Sequence, residues 1–169
     1  MPALPAGSFP SYFSNYINFV DADSVTEAID RYSGNIQQFF RNIPTDKVDY
    51  RYAEGKWSIK ELLQHIIDAE RIFAYRALRI ARKDKTPLPG FNEGAYAEES
   101  NASARSWQSL LEEFEAVRKS TDLLLQSFTA DQLQQSGITN EYYNTTIAIS
   151  YVVFGHILHH INILKERYL

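Results

Sequence analysis

Residues 154–164 read FGHILHHINIL, a run in which three histidines interrupt an otherwise almost wholly apolar stretch. The run lies in a predicted helix from about Thr146 to Arg167 that is apolar on nearly every side, which is typical of a helix surrounded by other helices. Its length raises the possibility of a membrane span, but Ser150, Asn162 and the histidines are costly in hydrocarbon. We therefore expect a buried central helix and no membrane partner.

Three further helices are predicted by apolar residues that recur every three or four positions. The first covers about 25–43 and the second about 59–82, and Ser24 and Ser58 each open a Ser-x-x-Glu capping box. A third helix of about 25 residues begins at Trp107. Together with the central helix, they predict a four-helix bundle.

The connections between these helices differ in length and composition. Residues 83–101 contain two prolines and two glycines and predict a long loop between helices two and three. A short helical turn is expected at 130–135, and 137–144 is expected to be irregular. The sequence therefore predicts an all-α, single-domain protein over 1–169, in which 1–22 form an N-terminal extension that packs on or near the bundle.

Composition excludes several classes of function. The net charge is −4, so we expect no nucleic-acid partner, and the densest basic cluster, within 76–85, is interpreted as a solvated helix end. The absence of cysteine excludes disulfides and thiolate ligands, and agrees with a cytoplasmic location. The first residues lack the pattern of a secretory signal.

The four histidines suggest a metal site. His156 and His160 are four residues apart on one helix face and can bind one ion together, whereas His159 lies 100° from His160 and is a poor third ligand. His65 lies in the apolar stripe of helix two and supplies the third donor. Three histidines with an open fourth position are typical of catalytic zinc, although imidazole also suits nickel, copper and iron. The alternative is that these are ordinary hydrogen-bonded core histidines.

Asp68 is the candidate for a supporting carboxylate. It follows His65 by one turn, and could orient a ligand ring or act as a general base. A surface ion pair with Arg71 or Arg76 is the alternative. Tyr96, on the long loop, is a weaker candidate for the base.

Other metal and hydrolase chemistries do not match the spacing. Ile157 stands where a zincin protease has its glutamate, and the Glu-x-x-His pairs of di-iron bundles are absent. No GxSxG, Walker A or GxGxxG string occurs. Haem held by two histidines remains a weaker alternative.

Two stretches, GKWSIKELLQHIIDAERIFAYRALRIARKDKTPLPGF and FGHILHHINILKERYL, together resemble the DinB-like (DinB/YfiT) superfamily from about residue 50 to the end. The most diagnostic parts are Lys56-Trp57-Ser58, His65-x-x-Asp68, and Gly155-His156 followed by His159-His160. The resemblance implies a four-helix bundle with divalent zinc or nickel, and the matching ligand positions are His65, His156 and His160. Characterised relatives include bacillithiol transferases and mycothiol-dependent enzymes such as maleylpyruvate isomerase, and many others carry only the label of metal-dependent hydrolase.

These observations predict a metal-dependent enzyme whose open coordination position takes a small molecule. A low-molecular-weight thiol there predicts an S-transferase, and water predicts a hydrolase. The alternative is a non-catalytic metal-binding or sensing bundle, which a sealed site would favour. Aromatic residues near the N-terminus could cover the bundle or a neighbouring copy, so a homodimer is a further expectation.

Overall fold

The computed structural model describes residues 4–5 and 7–169, and within these residues it contains seven α-helices and one two-stranded sheet. In chain order the elements are α1 (Ser14–Ile17), α2 (Val25–Arg41), α3 (Ile59–Ala81), α4 (Glu93–Glu99), α5 (Trp107–Gln126), α6 (Ala130–Leu133), β1 (Ser136–Thr139), β2 (Tyr142–Thr145) and α7 (Thr146–Arg167). Single 3-10 turns lie at Ser11–Phe13 and Ala102–Ala104.

The four long helices form the predicted bundle. Helices α5 and α7 each pack against both α2 and α3, so the apolar stripes of all four helices meet in one core. Helix α7 is the described helix that is long and apolar enough to cross a membrane, but 72% of its most apolar window is buried inside the protein. The all-α four-helix bundle with a surrounded final helix is confirmed.

Helix starts follow the capping residues, with one difference from the prediction. At α3, Ser58 Oγ accepts from the Glu61 backbone N–H, and the Glu61 carboxylate accepts from the Ser58 N–H. At α2, Ser24 Oγ accepts from the Glu27 N–H, but the Glu27 carboxylate accepts from Asp23 instead. The predicted capping box at α2 is therefore only half formed.

Two segments predicted to be irregular have regular structure. Residues 83–101 contain α4, which Asn92 opens by accepting from the Ala95 N–H; this helix buries no residue, so it left no apolar pattern. Residues 137–144 lie within an antiparallel hairpin of β1 and β2. Its two turn residues, Asn140 and Glu141, have φ of 50° and 68°. Such turns favour Asn-Gly, and glutamate in the second position hid the signal.

The long loop is fixed to this hairpin. The Leu88 N–H donates to Ile138 O and the Asn140 N–H donates to Leu88 O, each at 2.9 Å. A Cβ at Gly90 would lie 2.2 Å from Asn140 Oδ1, so a side chain at this position would displace the side chain of Asn140 at the hairpin turn. These contacts hold the start of α4 beside the bundle.

The N-terminal extension lies along α7. A Cβ at Gly155 would lie 2.1 Å from Tyr16 O, so only glycine permits this close approach. Phe13 is buried, with its ring 6.4 Å from that of Phe73. Residues 1–3 and 6 of the predicted extension lie outside the described residues. The described part covers the bundle immediately next to His156.

Candidate metal centre

Three imidazoles from two neighbouring helices meet in the bundle core. His156 Nε2 lies 3.1 Å from Nε2 of both His65 and His160, and one ligand atom from each ring lies within 4.8 Å of the others. All three side chains are buried. Zinc–nitrogen bonds of about 2.0–2.1 Å in a tetrahedron place ligand nitrogens about 3.3 Å apart. The cluster is thus close to the spacing that a divalent cation requires.

Hydrogen bonds alone satisfy this arrangement poorly. A neutral imidazole has one N–H and one lone pair, so Nε2 of His156 can donate to one neighbour or accept through one lone pair, yet it faces two nitrogens. A cation uses the lone pairs of all three rings at once. The chemistry of the donor set therefore suits a divalent metal, and neutral imidazole is the form that binds it.

The surroundings keep these rings neutral. Burial lowers the pKa of His65 to about 4 and that of His160 to about 3. Burial, reinforced by the neighbouring imidazoles, holds the pKa of His156 well below its ordinary value. All three rings therefore present lone pairs at neutral pH.

Aromatic side chains set the orientation of the rings. Trp57 packs against His65 with ring centroids 4.8 Å apart, and its backbone oxygen accepts from Tyr168 Oη at 2.7 Å. Tyr16, from the N-terminal extension, meets the edge of His156 at 5.4 Å. The Lys-Trp-Ser sequence and the extension thus contribute walls to the cluster.

The other predicted residues lie outside the cluster. His159 packs against Tyr16 and Phe19 and is not one of the three converging rings, in agreement with its predicted azimuth. Asp68 accepts from Gln64 Nε2 at 3.0 Å and lies 3.9 Å from Arg71 Nη1. No described hydrogen bond joins it to a histidine.

Neither candidate for the general base is brought to the imidazoles. Asp68 and Tyr96 line a different cavity, between α3 and α4. The alternative pairing of Asp68 with Arg71 is the one that forms. Nδ1 of His160 is buried with no hydrogen-bond partner among the described residues. The described contacts of the cluster therefore supply no carboxylate.

Two cavities border the cluster. One, of about 180 Å³, is lined by His156 and the second, of about 380 Å³, by His160. The first also contains Arg76, which is 5% exposed and donates from Nη2 to Pro89 O at 2.8 Å. Its interpretation as part of a solvated helix end is therefore wrong. Its position eleven residues after His65 places both residues near one azimuth of α3, in agreement with this buried location.

Fold and site together define a class: a helical bundle whose two adjacent core helices present three imidazoles to one point beside a cavity. The family model of the DinB superfamily matches residues 28–164. The chain belongs to this superfamily, and the resemblance found in its motifs is confirmed.

Individual relatives agree with this membership. The chain is 22% identical over 121 residues to a protein of Oceanobacillus iheyensis named "Putative metal-dependent hydrolase OB0413", covering 71% of this chain and 69% of that protein. Its fold matches that of YfiT from Bacillus subtilis with a TM-score of 0.67 and 17% identity, over 98% of this chain and 93% of the other. YfiT is described as a probable metal-dependent hydrolase with an unusual four-helix bundle topology. At this identity the structural match establishes the fold.

Proposed function

We propose that this protein is a metal-dependent enzyme in which His65, His156 and His160 hold one divalent cation, zinc or nickel. The observation that carries the proposal is the convergence of three buried, neutral imidazoles within 4.8 Å of one another. A divalent cation held there supplies a Lewis acid that lowers the pKa of water or a thiol, and so makes a nucleophile available near neutral pH.

The cavities favour an enzyme over a structural metal site. A structural site takes four protein ligands and is closed, whereas a catalytic site takes three and keeps a position open. Here the chain offers three donors, and two of them, His156 and His160, line cavities. The non-catalytic bundle is therefore the less supported alternative.

Hydrolysis is the first candidate reaction. Both reported relatives are named or described as metal-dependent hydrolases. Because no carboxylate contacts the cluster among the described residues, water would depend on the cation for activation and not on a general base of the chain. A substrate with an electrophilic carbonyl, such as an ester or amide, suits that chemistry.

Transfer to a small thiol is the second candidate, and the pair of cavities favours it. A transferase must hold two molecules, and the cavities at His156 and His160 offer two separate approaches to the imidazoles. A thiol is more acidic than water, so it needs less activation in a site without a base. In either reaction the imidazoles and the aromatic walls position the nucleophile and limit the access of bulk water.

Elemental analysis of protein purified without added metal tests the metal site. Wild type is expected to carry about one equivalent of zinc or nickel, and His65→Ala and His156→Ala are expected to lose it. His159→Ala is the matched control, since it removes an imidazole from the same helix and should retain the metal. Full metal content in both ligand variants would refute the assignment.

Activity assays then separate the two reactions. Hydrolysis of p-nitrophenyl acetate and conjugation of cysteine to monobromobimane are measured on the same preparations, before and after chelation. The proposal requires at least one rate that falls on chelation and in His156→Ala but not in His159→Ala. A metal-replete protein that accelerates neither reaction would favour the non-catalytic bundle.

A homodimer and a cytoplasmic location stay predictions. Phe13 and Tyr16 pack on the bundle itself, whereas Tyr12 and Phe19 are 41% and 38% exposed. We propose that the exposed pair contributes to any contact between copies. Sedimentation of a monomer at micromolar concentration would reject the dimer.

A further inference from the structure

The cavity next to His156 contains a buried cation without an ionic partner. The Arg76 side chain enters the cavity from α3, is 5% exposed, and makes one hydrogen bond, to Pro89 O. None of the described carboxylates forms an ion pair with it, and burial lowers its pKa. Because arginine stays protonated at physiological pH, the charge persists and remains uncompensated.

A buried guanidinium without a counter-ion is costly unless a ligand provides one. Removing a charge from water costs several kcal/mol, and an opposite charge with good hydrogen-bond geometry offsets that cost. Arg118 illustrates the alternative, since it is fully buried but contacts both Glu70 and Asp122. Arg76 has only the Pro89 carbonyl, so its remaining N–H groups are available to a molecule in the cavity.

The other residues that line the cavity indicate the size, charge and polarity of a molecule that would fit it. Aromatic residues provide much of the lining, and the volume of about 180 Å³ far exceeds the roughly 10–15 Å³ that one water needs. Arg76 is the permanent cation of the lining, and the exposed Glu93 carboxylate disfavours a multiply charged anion. A small organic molecule with one carboxylate and an apolar body matches these surfaces.

We infer that Arg76 binds the carboxylate of a small monoanionic substrate and so presents the rest of that substrate to the imidazoles at His156. This inference rests on the proposed function for the role of the imidazoles, and it adds a substrate class and a specificity residue. The planar guanidinium matches a carboxylate in a paired arrangement, which gives orientation as well as affinity.

Calorimetric titration with benzoate and its neutral isostere benzamide tests the inference. Wild type is expected to bind benzoate at least about tenfold more tightly than benzamide, since a charge-assisted hydrogen bond is about twice as strong as a neutral one. Arg76→Gln should reduce benzoate affinity to that of benzamide, and Arg76→Lys should be intermediate because the paired geometry is lost. Equal affinity of wild type for both probes would overturn the inference.

Arg82→Gln is the matched control, because it removes the same charge from the end of α3 at an exposed position that does not line the cavity. It should bind benzoate like wild type. Each titration is repeated after chelation. Benzoate binding that disappears with the metal but survives Arg76→Gln would place the carboxylate on the cation and refute the role of Arg76.

The same design separates this inference from the proposed function. A preference for benzoate that depends on Arg76 in protein without metal would support the inference even if the metal assignment failed. Circular dichroism establishes whether Arg76→Gln folds. If it does not, the benzoate-to-benzamide comparison in wild type and Arg76→Lys decides the question.

Discussion

The bundle core buries two groups of polar side chains. In the ion cluster, formed by Arg118, Glu70 and Asp122, the guanidinium lies 3.2 Å from Glu70 Oε1 and donates to Asp122 Oδ1 at 2.8 Å. Ser33 Oγ donates to the same Asp122 oxygen, and the guanidinium lies 4.9 Å from the Phe154 ring centre. Four helices thus contribute to one cluster that pairs the guanidinium with carboxylates, although both Glu70 oxygens and the Nε and Nη1 atoms of Arg118 have no hydrogen-bond partner among the described residues.

The histidine cluster of His65, His156 and His160 is buried in the same core but supplies no cation of its own. Its rings face one another through Nε2 atoms, two pairs of which are 3.1 Å apart. Unlike the ion cluster, it borders cavities. The two groups differ in how charge is balanced: the ion cluster pairs a guanidinium with carboxylates of the same chain. The histidine cluster instead brings together three neutral donors whose geometry suits a divalent cation.

The largest expected effect concerns the ion cluster. Arg118→Met leaves Glu70 and Asp122 buried without their cation and should lower the free energy of unfolding by about 3–5 kcal/mol. Urea denaturation measures the change, and metal content per folded chain should stay that of wild type. Arg41→Met, at an exposed residue paired with Glu115, is the control and should alter stability little. A wild-type stability for Arg118→Met would show that the core does not need this cation.

Acid should weaken the histidine cluster of metal-free protein. The pKa of His65 is about 4 in the folded chain against an ordinary value of 6.5, so between these values the unfolded state binds the proton and the folded state does not. The free energy of unfolding should therefore fall as pH drops from 6.5 to 4, by about 3 kcal/mol from His65 alone, with no further loss from this residue below pH 4.

Chemical denaturation at several pH values checks this dependence. Between pH 6.5 and 4, the free energy of unfolding of His65→Leu should change less steeply with pH than that of wild type. The difference in slope should correspond to at most one bound proton, whatever the absolute stability of the variant. An identical slope in wild type and His65→Leu would mean that His65 is protonated alike in both states.

Metal should stabilise the protein only through the histidine cluster. Zinc or nickel at a hundred times its dissociation constant should raise the free energy of unfolding by about 2.7 kcal/mol, provided that the unfolded chain does not bind it. Arg118→Met should gain the same increment, because Arg118 is not among the converging ligands. His156→Ala should gain none. An increment that is lost in Arg118→Met would show that the two clusters are coupled.

The sequence predicts most of the fold because the helices carry local signals. The apolar repeat and the cap residues predict α3 and α7 closely, and α7 begins and ends at the predicted Thr146 and Arg167. The hairpin and α4 escaped prediction, since their positions depend on contacts between distant segments such as Leu88 and Asn140. Contacts of this kind leave no repeating pattern in the sequence from which they could be predicted.

The candidate site, like the fold, is predictable where local sequence signals determine it and unpredictable where it depends on contacts between distant segments. His156 and His160 are one turn apart, so their joint direction follows from helix geometry, and His65 follows from its place in an apolar stripe. The role of Asp68 stays a prediction: it lies one turn from His65, but its carboxylate accepts from Gln64 and lines the cavity between α3 and α4. Arg118 and Asp122 are also one turn apart, but their partner Glu70 lies on α3, so their compensation is visible only in three dimensions.

The smallest effect is expected at the edge of the ion cluster. Ser33→Ala removes one hydrogen bond to Asp122 Oδ1, which still accepts from Arg118 Nη2, so the free energy of unfolding should fall by about 1 kcal/mol. Ser127→Ala, which removes an exposed hydroxyl bonded to Leu124 O, is the control and should cost less. Urea denaturation compares both with Arg118→Met. If Ser33→Ala lowers the free energy of unfolding as much as Arg118→Met does, the hydroxyl and not the guanidinium offsets the cost of burying the Asp122 carboxylate.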